Sequence, residues 1–208
     1  MNRSWIQISA RRPVGGFSLV ELLVVLVILI ILSTMLSRSL SGTRRATDRE
    51  LCRKNLQEIF LACSIYAHDN QGSFPRLQAA QTSEEPLSLL LPRSTTETAM
   101  FICPGGGDKP LPEGESFARR RISYAYYMGR TTNSGAAEVL VTDWQADTRP
   151  KTAGQPLFSA DGKKPGNNHG KDGGNLLLVS GGVEFSGPKA ARDLPLPPGV
   201  VLLNPNHE

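Results

Sequence analysis

From Phe17 to Leu36 the chain reads FSLVELLVVLVILIILSTML, apolar apart from Glu21 and a few hydroxyl side chains. A helix of about twenty residues reaches about 30 Å, the hydrocarbon thickness of a bilayer, so this stretch is predicted to cross a membrane. Helical patterning continues beyond it. Residues 37–70 contain no Pro and only Gly42 as glycine. At about 100° per residue Cys52, Leu56, Ile59, Cys63 and Tyr66 share one face, while Arg53, Lys54, Gln57 and Glu58 lie mostly away from it. Gly72 and Pro75 end the pattern. Gly42 costs about 1 kcal/mol relative to Ala and marks a place for a local melt or kink.

The period then changes. After a Pro-, Ser- and Thr-bearing stretch from Pro75 to Thr98, strand candidates follow at Ile122–Met128, Glu138–Asp143 and Asn175–Phe185. Ser180-Gly181-Gly182 divides the last into two arms, with glycines able to take the positive backbone angles of a tight turn. This is the pattern of an α+β fold: a long N-terminal helix packed on a small antiparallel β-sheet. The chain divides into a leader (1–16), a transmembrane or assembly helix (17–36), an amphipathic helix (37–70) and a loop-rich β-sheet domain (71–208).

Composition sharpens this outline. A length of 208 residues suits one modest domain plus an anchor, and 20 Gly with 15 Pro fit a loop-rich second half. The net charge of +4 hints at nucleic acid, but Arg3, Arg11 and Arg12 precede Gly16 with no acid among them, and removing them leaves +1. The positive charge therefore belongs to a leader that stays in the cytoplasm, and no specific nucleic-acid partner is predicted. Arg38, Arg44 and Arg45 follow the apolar run, so charge asymmetry alone does not orient the helix. Small residues Gly15 and Gly16 stand before the apolar run, whereas an ordinary secretory signal is cut after it.

Glu21 is the decisive position. A carboxylate in lipid costs about 2.5–3.5 kcal/mol at mid-bilayer, so it calls for a positive partner. The run Gly16-Phe17-Ser18-Leu19-Val20-Glu21 resembles the processing motif of type IV pilins and type II secretion pseudopilins. The resemblance implies that a prepilin peptidase cuts between Gly16 and Phe17 and methylates the new amino terminus at Phe17. Cutting would supply the cation that Glu21 of a neighbouring subunit needs during assembly. It further implies a pseudopilin-like subunit, not an enzyme, in the bacterial inner membrane: single-pass, with an extracytoplasmic C-terminal domain. Its partners would be the peptidase, membrane lipid, other pilin or pseudopilin subunits and an inner-membrane assembly platform. Rival readings are a type IV pilin for adhesion, motility or DNA uptake, a plain signal anchor, and a membrane-tethered enzyme or binding domain.

Cys52 and Cys63 lie about 16 Å apart along a helix and cannot bond to each other, which leaves Cys103 as an intramolecular partner for either. All three thiols could equally remain reduced as small apolar side chains. Cys52 to Pro75 resembles a pseudopilin-like subgroup with C-x-x-N-L-x-x-I and Y-A-x-D-N-x-G-x-F-P. That resemblance, with the F-x-C-P segment Phe101–Pro104, implies a Cys52–Cys103 disulfide and a Cys63 packed in the core. His169 to Phe185 is similar to the H-x9-D-G segment of the same subgroup, but ten residues separate His169 from Ser180, which stands where the pattern has Asp.

No committed metal or cofactor site is predicted. His169 with Asp172 lacks the ligand count of one, no C-x-x-C pair is present, and calcium would have only Asp143, Asp161, Asp172 and Asn175, without EF-hand spacing. His68-Asp69-Asn70 reads as a helix end, and Gly105-Gly106-Gly107 as a loop without a phosphate-binding context.

Overall fold

The computed structural model describes residues 18–109, 111–113, 117 and 120–206, with side chains throughout that set except at 35–42. The chain divides into two compact units, with the boundary between Gly42 and Thr43. Helix α1 (Leu19–Asp69) contributes to both and includes Gly42, so no melt interrupts it there.

In the first unit every large apolar side chain from Leu19 to Leu32 is exposed, from 44% at Val25 to 78% at Leu19. An apolar surface on all sides of a helix is unsatisfied in water and needs lipid or neighbouring helices. Among the described residues, however, no helix is long and apolar enough to cross a membrane. The span expected over 17–36 is therefore not found at full length among the described residues.

The second unit is built on the remainder of α1. Cys52, Leu56, Ile59 and Cys63 are fully buried, as the helical spacing predicts, and Tyr66 is half-buried beside Ala67. The helix ends in a Schellman-type turn, with the Gly72 amide donating to the Ala67 carbonyl at 2.8 Å and Gln71 in the left-handed region (φ 54°).

The helix packs on a five-stranded antiparallel sheet comprising β1 (Tyr124–Met128), β2 (Val139–Asp143), β3 (Gly174–Leu178), β4 (Val183–Ser186) and β5 (Val201–Leu203), in the order β4-β3-β2-β1-β5. The Ser180–Gly182 turn joins β3 to β4, with Gly181 at φ +86°. A short helix, α2 (Glu84–Leu87), and two 3-10 turns (Ser88–Leu90 and Ala99–Phe101) occupy the stretch before β1.

Strands β1, β2 and β3 are buried at every position, because both faces of the sheet are covered. On β1, Tyr124, Tyr126 and Met128 join α1 in one core, while Ala125 and Tyr127 point into a second core with Leu157, Phe158, Ala190 and Leu194. The loop-rich region after β2 thus serves as the lid of the sheet's other face.

Candidate functional site

Four buried side chains from four separate segments converge where α1 meets the β1–β2–β3 end of the sheet. Cys52 comes from α1, Cys103 from the chain just after the second 3-10 turn, Asp143 from the end of β2 and His169 from the loop leading into β3. Cys52, Cys103 and Asp143 are fully buried and His169 is 9% exposed. The Cys52 and Cys103 sulfurs lie 2.8 Å apart, both as free thiols. Cys103 Sγ is 3.6 Å from His169 Nε2, which is 3.2 Å from Asp143 Oδ2, while Asp143 Oδ1 is 3.2 Å from Cys52 Sγ. The four groups thus close a ring.

Neighbouring groups hold each member in place. The Asn168 amide donates to the Ser123 carbonyl at 2.7 Å and to Asp143 Oδ1 at 2.9 Å, pinning the His169 loop to the strands. The Asn175 backbone N–H donates to Asp143 Oδ2 at 2.6 Å. The Tyr124 hydroxyl stands 3.1 Å from Cys52 Sγ. Glycine permits the packing at two points. A Cβ at Gly105 would stand 2.4 Å from the Asn168 carbonyl oxygen and 3.1 Å from His169 Nδ1, and one at Gly174 would stand 2.9 Å from the Asp143 Cβ.

Charge is redistributed accordingly. Burial pushes the Cys52 thiol well up, and Cys103 and Asp143 add to the effect. Burial also opposes ionisation of Cys103, but the hydrogen bond from Cys52 and the imidazole of His169 outweigh it and lower its pKa. For His169 burial disfavours the imidazolium, yet Asp143 and Cys103 prevail and carry its pKa up to about 10. Asp143 stays below the usual carboxylate range: burial is offset by His169, the Asn175 N–H and the Asn168 amide. The set offers two sulfurs, one imidazole and one carboxylate to chemistry that uses thiols.

Of the residues singled out in the sequence, the structure unites His169 with Asp143 rather than with Asp172. Asp172 is half-buried and lines, with Arg45, Asp48, Asp161 and Lys171, a cleft of about 370 Å³ that reaches His169. Asn175 touches the cluster through its N–H, and Asp161 is exposed. Cys63 is buried apart from the cluster, its thiol pushed up to about 12 by burial. His68, Asp69 and Asn70 are exposed at the end of α1. Gly16 and Phe17 lie outside the described residues, whereas Glu21 is exposed in the first turn of α1. No local spacing announced the cluster, since each member is a single residue from a different element.

Residues 11–37 match the family model described as the prokaryotic N-terminal methylation motif. The chain carries a prepilin-type methylation motif. This is consistent with a type IV pilin-like or pseudopilin-like protein, and the motif suggests a structural subunit rather than an enzyme. It also implies processing by a peptidase and assembly with other subunits from a membrane-anchored precursor. No curated protein and no solved structure matches the chain.

Proposed function

We propose that this chain is a pseudopilin-like structural subunit, cut by prepilin peptidase between Gly16 and Phe17, N-methylated at Phe17 and assembled into a type II secretion-type pseudopilus. The observation that carries the reading is the methylation motif over residues 11–37, with Glu21 in the first turn of an α1 whose large apolar side chains from Leu19 to Leu32 are all exposed. Before assembly that surface is satisfied by the lipid of the inner membrane, in a single pass with the sheet domain extracytoplasmic. Afterwards neighbouring helices take the place of lipid, so apolar contact is retained as the subunit leaves the bilayer. Glu21 then meets the methylated terminus of an adjacent subunit, and this pairing sets the register of the packed helices.

The test is the N-terminal mass of the chain from hosts with and without prepilin peptidase. A product beginning at N-methylated Phe17 only when the peptidase is present is expected. A chain that keeps residues 1–16 in both hosts would overturn the proposal and favour a tethered domain. Short, membrane-retained filaments with a secretion defect on deletion separate a pseudopilus from an extended type IV pilus.

A further inference from the structure

The geometry points to a zinc site in the sheet domain, with Cys52 Sγ, Cys103 Sγ, His169 Nε2 and a carboxylate oxygen of Asp143 as its four ligands. The ligand atoms all lie within 4.8 Å of one another. Zinc binds sulfur at about 2.3 Å and nitrogen or oxygen at about 2.0–2.2 Å, so a tetrahedral site sets its ligand atoms roughly 3.3–3.8 Å apart. Two edges, Cys103 Sγ to His169 Nε2 at 3.6 Å and His169 Nε2 to Asp143 Oδ2 at 3.2 Å, are already close to that spacing, and Cys52 Sγ lies 3.2 Å from the other carboxylate oxygen, Asp143 Oδ1. The sulfur–sulfur edge, at 2.8 Å, has to open by about 1 Å.

The donor set selects the metal. Two thiolates and an imidazole suit zinc, whereas calcium and magnesium take oxygen ligands and would leave three of the four groups unused. On binding, the two S–H protons and any proton on Nε2 leave, and four lone pairs take their place at the metal.

The surroundings fit as well. The Asn168 amide and the Asn175 N–H hold the Asp143 carboxylate, and the Tyr124 hydroxyl lies beside the Cys52 sulfur, so hydrogen-bond partners ready to offset thiolate and carboxylate charge are in place. The cleft that reaches His169 carries Asp48, Asp161 and Asp172 beside Arg45 and Lys171 and opens the His169 side of the cluster to solvent. A disulfide would account for the two sulfurs alone. It would leave the paired His169 imidazole and Asp143 carboxylate beside it, two further donors of the kind zinc takes, within 4.8 Å of the sulfurs. Four protein ligands also leave no open coordination position, as in structural zinc sites rather than catalytic ones.

The experiment uses the full chain in detergent, purified with a non-chelating reductant, and measures bound zinc by elemental analysis. Cobalt(II) is then added to metal-free protein as a spectroscopic probe. One zinc per chain is expected, together with the intense visible absorption and sulfur-to-cobalt charge transfer of a tetrahedral thiolate site. His169→Ala and Asp143→Ala should weaken zinc binding by about tenfold or more. Cys63→Ser should leave it unchanged. Because those variants can lose their fold, the deciding readings are taken on the unaltered chain, whose melting temperature should fall when a chelator removes the metal. A reduced, folded chain that takes up neither zinc nor cobalt overturns the inference. So does a chain isolated with Cys52 joined to Cys103 that binds no metal after reduction, an outcome that assigns the pair to a disulfide.

Discussion

Gly181, at the tip of the β3–β4 hairpin, lies against the ring of Phe60 on α1: a Cβ there would stand 2.7 Å from the Phe60 Cε1. The backbone of the turn is therefore part of the helix–sheet contact. Gly154 shares the same φ of +86° but has open space around it. Gly181→Ala should destabilise the protein by about 2–3 kcal/mol and Gly154→Ala by about 1 kcal/mol, the difference reporting the displaced ring. Urea unfolding of both variants checks this, and equal losses would mean that the ring yields freely.

Tyr126 is fully buried, and its hydroxyl donates to the Pro75 carbonyl at 2.8 Å, tying β1 to the segment that follows α1. Tyr126→Phe should cost about 1–2 kcal/mol through the unpaired carbonyl. Ile59→Ala, which empties the centre of the helix face, should cost about 3–4 kcal/mol. Both values are read from the midpoint and slope of chemical denaturation.

Glu84 is buried in α2, and its Oε1 accepts the backbone N–H groups of Ile122 at 3.2 Å and Asn206 at 2.8 Å. Burial raises its pKa more than those donors lower it. A carboxyl with a raised folded-state pKa contributes stability that is complete below the unfolded value of 4.5 and is lost as pH rises through the folded value. The stability of the native chain relative to Glu84→Gln should therefore fall as the pH rises above 4.5. Unfolding curves collected across that window would show no trend if the buried carboxyl titrated normally.

Gln71 holds a left-handed conformation, which costs an L-residue about 1–2 kcal/mol, while the added freedom of unfolded glycine takes back about half of that. Gln71→Gly is expected to raise stability by about 0.5 kcal/mol, visible as a small upward shift in melting temperature.

Glu21→Val should leave cleavage and methylation at Phe17 intact while reducing incorporation into filaments by about tenfold or more, because the buried amino terminus loses its counter-charge. The ratio of sheared-filament to membrane-bound subunit measures it. Normal incorporation would remove Glu21 from the assembly mechanism.

What could be read from the chain follows from periodicity. The buried stripe Cys52, Leu56, Ile59 and Cys63 repeats at helical spacing, and the aromatic and aliphatic runs of β1 to β4 are visible as strands. Strand β5 was missed because Val201–Leu203 is three residues long and closely flanked by Pro and Gly. The second core escaped notice for a different reason. Leu157, Phe158 and Leu194 sit in irregular chain, where burial leaves no period. The Cys52–Cys103–Asp143–His169 ring was invisible as a unit, since tertiary convergence of single residues carries no spacing rule. In the sequence Asp143 stands only as an oxygen donor, and Asp172 is the nearer acid to His169 along the chain.

From Thr43 onward Cys52 is the first fully buried side chain of α1, ahead of Leu56 and Ile59. Any tension transmitted along the chain from residues before Thr43 would therefore reach Cys52 before the apolar contacts that follow. Packing alone resists shear through many weak contacts that peel one after another. A metal bridge at that position would turn the first fully buried contact into a rivet, so that pulling on the helix loads β2 and the His169 loop together instead of unzipping the helix from the sheet.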